Sequence, residues 1–68
     1  MKITTLQRRV KIQMLNLGLD KRGGQSQIAE RLGVPVSAFN MALTGYRTGQ
    51  ASRDILADAL EELKNWSI

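Results

Sequence analysis

Apolar positions recur at three- and four-residue steps in four stretches of the chain, and nowhere do they alternate over a useful length. Ile3, Leu6, Val10, Met14 and Leu17 make one face of a first helix. Ile12 and Leu15 widen its apolar side, while Arg8, Arg9 and Lys11 lie away from its centre. Thr4 or Thr5 is suited to cap its start, and Gly18 to stop it. The segment LDKRGG, Leu19 to Gly24, reads as a loop anchored by Leu19, whose paired glycines separate the first helix from the next. A second helix is expected from Gln25 or Ser26 to Leu32, with Ser26 as its cap. Ile28, Ala29 and Leu32 would face inward, and Glu30 and Arg31 outward. A third helix begins near Pro35 or Val36, since the N–H that proline lacks is unpaired in a first turn anyway. Phe39, Ala42 and Leu43 point inward, and Gly45 ends it. After the polar connector YRTGQ, Ser52 is expected to cap a fourth helix with Asp54 in its first turn. Ile55, Leu56, Ala59, Leu60 and Leu63 form its stripe, which Trp66 continues. The pattern predicts a small all-α domain of four helices, or five.

The two middle helices read as a helix-turn-helix over about Gln25 to Thr44. Ala29 is small where the third helix must approach closely. Gly33 opens the turn, where a left-handed backbone costs a residue with a Cβ ~1 kcal/mol or more. Ile28, Leu32, Val34 and Phe39 supply the apolar contacts that set the angle between the pair. In the DNA-binding version of this motif the second helix lies in the major groove.

Composition narrows the chemistry. A chain of 68 residues is expected to form one domain, with no separate catalytic or sensing unit. At this size a chain buries only ~60% of its unfolded surface, so modest stability is expected unless dimerisation adds to it. There is no cysteine and no histidine, which removes disulfides, the usual zinc ligands and the commonest general base. No catalytic residue, metal site, cofactor or small-molecule ligand is expected, and the chain is not read as an enzyme. No segment is apolar enough to span a bilayer, and MKITTLQRRV lacks the apolar core of a signal peptide, so a cytoplasmic protein is the expectation. The formal net charge is +4, and it is unevenly spread. Lys2, Arg8, Arg9, Lys11, Lys21 and Arg22 crowd the first third, opposed there only by Asp20. Asp54, Asp58, Glu61 and Glu62 crowd the last fifth. One basic and one acidic side suit a protein that presents one surface to a polyanion.

The motif Q-x-x-I-A-x-x-L-G-V at Gln25 to Val34, followed by A-L-x-G-Y-R at Ala42 to Arg47, resembles the helix-turn-helix domain of the phage repressor family (Cro and C1-type, lambda-repressor-like). With the apolar helix Ile55 to Leu63 behind it, the resemblance covers about two-thirds of the chain. Two features depart from the family pattern. The loop before Gln25 is longer and richer in glycine, and the recognition helix VSAFNMALT is poor in Gln, Lys and Arg.

The resemblance implies a double-stranded DNA partner and a transcriptional regulator, chiefly a repressor that occludes a promoter. It would bind an inverted repeat as a homodimer, with assembly only on DNA as the alternative to a dimer in solution. Val36, Ser37 and Asn40 project opposite Phe39 and Leu43, with Met41 and Thr44 on the same flank, as candidate base-reading residues. Asn40 is the best of them, because its amide can pair with both N6 and N7 of adenine. Gln25 matches a family position that meets a phosphate at the start of the second helix. Tyr46, Arg47 and Thr48 follow the recognition helix, where family members grip the backbone. Arg53, and after it Lys21 and Arg22, complete the phosphate candidates. Trp66 either closes the core, which is the expectation, or joins Leu63 and Ile68 in a dimer interface. The alternative function is a protein-interaction module that uses Val36, Met41 and their neighbours on the same scaffold.

Overall fold

The computed structural model describes residues 2–21 and 23–66, and these form four helices and no strand. They are α1 (Ile3–Asn16), α2 (Gly24–Leu32), α3 (Val36–Thr44) and α4 (Gln50–Lys64). The all-α expectation holds with four helices among the described residues. None of them is long and apolar enough to cross a membrane. α3 and α4 each pack against all the other helices, and α1 packs most extensively on α4. Phe39, Ile28, Leu56, Leu63 and Val10 are the largest side chains wholly inside this core.

The buried stripe of α1 is Leu6, Val10 and Met14, with Ile3 and Leu17 packed at its ends. Ile12 and Leu15 do not widen it; they are 49% and 62% exposed. At 3.6 residues per turn, Ile12 lies about 200° around the helix from Val10, on the opposite side from the core. The chain then turns back through Gly18, whose N–H meets the Leu15 carbonyl, while the Leu19 N–H reaches Met14 at 2.7 Å. This pair of bonds satisfies the last carbonyls of the helix and tucks Leu19 into the core.

None of the expected side-chain caps forms. α1 starts after Lys2, whose backbone is extended and whose carbonyl accepts from Thr5 and Leu6, so Thr4 and Thr5 lie inside the first turn. α2 starts at Gly24, after Gly23, which leaves Ser26 as its third residue. The earlier start comes from packing, because the first turn of α2 rests directly on the backbone of Leu19. A Cβ added at Gly24 would sit 1.8 Å from the Leu19 carbonyl oxygen. α4 starts at Gln50, after Gly49. Ser52 therefore falls on the inward stripe with Leu56, Ala59 and Leu63, and is buried there. Asp54 lies beyond the first turn and accepts a 2.9 Å bond from the Gln50 side chain. α3 begins at Val36 as expected, with Pro35 just outside it and the Pro35 carbonyl accepting from Phe39.

Trp66 packs at the edge of the core, half-buried. The Arg31 guanidinium lies over its ring at 4.1 Å from the centroid, and Arg31 also reaches Glu62 at 3.6 Å. Leu63, one expected member of a dimer interface, is 2% exposed and packs within the core of its own chain. Ile68, the other expected member of that interface, lies outside the described residues, as does Arg22.

Candidate nucleic-acid interface

The corner between α2 and α3 is closed by Gly33 to Pro35. Gly33 takes φ +71, its N–H meets the Glu30 carbonyl, and the Val34 N–H reaches Ala29 at 3.1 Å. A residue with a side chain is strained at that φ. Val34 and Leu32 pack onto the core from either side of the turn. Ala29 is 2% exposed where the two helices meet. The corner is therefore held by backbone bonds and apolar contact together.

Phe39, Ala42 and Leu43 bury one side of α3, and the other side faces outward. Val36 is 44% exposed, and Ser37, Asn40 and Thr44 are exposed with it. Met41 is half-buried, so it offers less surface than the helical pattern implies. The Thr44 hydroxyl donates to the Asn40 carbonyl at 2.9 Å. That bond occupies Thr44 locally and uses only the backbone of Asn40.

A contact from α1 supports the last turn of α3. The Gln7 side-chain amide donates to the Ala42 carbonyl at 3.0 Å, linking α1 to the last turn of α3. The last four carbonyls of a helix lack partners within it, so this bond satisfies one of them while orienting the helix. Gln7 also lies against Gly45, where an added Cβ would come within 3.3 Å of its amide nitrogen. In sequence Gln7 is one residue off the apolar stripe and looks like any surface glutamine. Nothing in the pattern marks it.

The remaining candidates fall into two groups. At the start of α2, Gln25 and Ser26 line a shallow concavity with Asp20, Lys21, Gly23 and Val36. This brings the first residue of α3 beside the beginning of α2. At the far end of α3, Tyr46 is 80% exposed and Arg47 and Thr48 are exposed. The Arg47 N–H bonds back to the Met41 carbonyl at 3.2 Å, which ties this connection to α3. Arg53 is exposed in the first turns of α4. The acidic groups Asp54, Asp58 and Glu61 lie on the side of α4 away from its buried stripe.

Among the described residues no three acidic or other metal-ligating side chains come together. Comparison with protein-family models, with curated proteins and with solved structures gave no match for the chain.

Proposed function

We propose that the chain is a sequence-specific double-stranded DNA-binding regulator of the phage-repressor, lambda-repressor-like kind. In this reading α3 lies in the major groove and two copies occupy an inverted repeat, one helical turn between half-sites. One observation carries the proposal: an exposed face of α3 is bracketed at both ends by groups suited to phosphate. Val36 to Thr44 is eight residue steps, about 12 Å at 1.5 Å per residue. The major groove is also about 12 Å wide. Gln25 and Lys21 stand near one end of α3, and Tyr46, Arg47 and Thr48 at the other.

Roles follow from chemistry. Arg47 and Gln25 hold phosphates and set register without reading sequence. Asn40 pairs with adenine through its free amide, and Val36 packs on a thymine methyl. Ser37 contributes a weaker, two-way hydrogen bond. Bound at a promoter, such a pair represses by occlusion.

Exposed Val36 on a helix without Lys or Arg also favours a second reading, in which the same face docks a protein. Salt separates the two. Counterion release makes DNA affinity fall steeply with salt, with log K against log[salt] sloping about −0.9 per phosphate contact. A titration of labelled duplex between 50 and 200 mM salt is expected to give a slope of about −3 per protomer, with Arg47, Arg53 and Lys21 each neutralising one phosphate. A slope near zero, or no binding to duplex, would reject the DNA reading.

A further inference from the structure

The basic residues of α1 look like one cluster in sequence, but the fold sends them in different directions. Arg9 and Lys11 flank Val10, one on each side of the buried stripe, about 100° from it each way. Arg9 lines a groove against α4, with Ile12, Gln13, Leu60 and Lys64. Lys11 lines a different concavity, with Met14, Asp20, Gln25 and Leu43. Arg8 lines neither. The Lys11 concavity shares Asp20 and Gln25 with the one that reaches Lys21, Ser26 and Val36. A continuous surface therefore runs from α1 across the start of α2 to the first residue of α3.

We infer that Lys11 is a phosphate-binding residue of the DNA interface, contributed by α1 from outside the helix-turn-helix. The inference rests on the DNA-binding reading and extends its footprint. Lys11 is exposed, and the one ion pair among the described residues, Arg31 with Glu62, does not involve it. A lysine ammonium on a flexible four-carbon stem suits a phosphate that it approaches as a point charge. The backbone strand held beside Gln25 would pass within reach of Lys11 on one flank and Lys21 on the other. Asp20 is the single carboxylate facing both concavities. It repels a phosphate placed directly over it and so confines the strand to the lysine flanks.

Arg9 supplies the control. Lys11→Gln and Arg9→Gln remove the same charge from exposed positions of the same helix, two residues apart. At 0.15 M ionic strength charges are screened over about 8 Å, so a side chain on the far flank contributes little. Affinity for labelled duplex is measured across salt for both variants, for Asp20→Asn and for Arg47→Ala, with helix content checked by circular dichroism. The expected result is a loss of about 3- to 10-fold for Lys11→Gln, with the salt slope reduced by about 1. Arg9→Gln should change affinity less than about 2-fold and leave the slope intact. Asp20→Asn should tighten binding. Equal effects of Lys11→Gln and Arg9→Gln would overturn the inference, leaving only long-range attraction. If Arg47→Ala weakens binding while Lys11→Gln does not, the DNA reading stands and the Lys11 contact falls. No binding by the unmodified protein removes both.

Discussion

The two connections that flank α3 are built in opposite ways. Between α2 and α3, Gly33, Val34 and Pro35 turn the chain with two backbone bonds, and Val34 packs against the core. Between α3 and α4, Tyr46 to Gly49 run exposed, tied to α3 by the single Arg47 to Met41 bond. The first connection spends its residues on fixing an angle. The second leaves Tyr46, Arg47 and Thr48 to solvent. Rigidity on one side of α3 and accessible side chains on the other is what the recognition role proposed for this helix requires.

Substitutions should separate the two sides. The largest effect is expected at Phe39, whose ring is wholly buried and holds α3 to the core. Phe39→Ala should cost about 3–5 kcal/mol. That is comparable to the whole stability of a chain of this size, so thermal or urea melting should find it largely unfolded. Gly33→Ala comes next. It forces a side chain into a left-handed backbone and should lower stability by about 1–2 kcal/mol, read from the urea midpoint. Both changes act through the fold, so DNA affinity should fall with stability.

Arg47→Ala should do the reverse. Stability should move by less than about 0.5 kcal/mol. Affinity for every duplex should drop, and the salt slope should shrink by about 1. A large stability loss there would mean that the second connection is as structural as the first. The smallest effect is expected at Gly49, which has φ −73, open space around it and no side-chain cap to offer α4. Gly49→Ser should cap α4 and raise stability by about 0.5 kcal/mol, with binding unchanged.

The helices and most of the core were readable from periodicity, because burial of a stripe is what makes a short helix stable. Their starts were not. A side-chain cap contributes about 1 kcal/mol, and it yields when tertiary packing prefers another register. Ser52 shows this most directly: the four-three-four spacing that aligns it with Leu56, Ala59 and Leu63 places it on the buried face. Gly24 shows it differently. As one of a glycine pair it suits a turn, whereas the structure needs the missing Cβ for close approach to Leu19. Exposure of Asn40, Arg47 and Val36 followed from facing alone. The direction of Lys11 did not, because position along a helix leaves open which neighbour lies on each flank. Gln7 stayed hidden for the same reason.

The most direct test of the central proposal is selection of duplexes from a random pool by the purified protein at near-physiological salt, repeated with Asn40→Ala. Enrichment of an inverted repeat is expected, with half-sites about one helical turn apart. In the variant, one adenine position in each half-site should lose its preference, worth about 1–3 kcal/mol of discrimination. A pool that emerges with no preferred sequence, or that the protein does not retain at all, would contradict a base-reading role for α3.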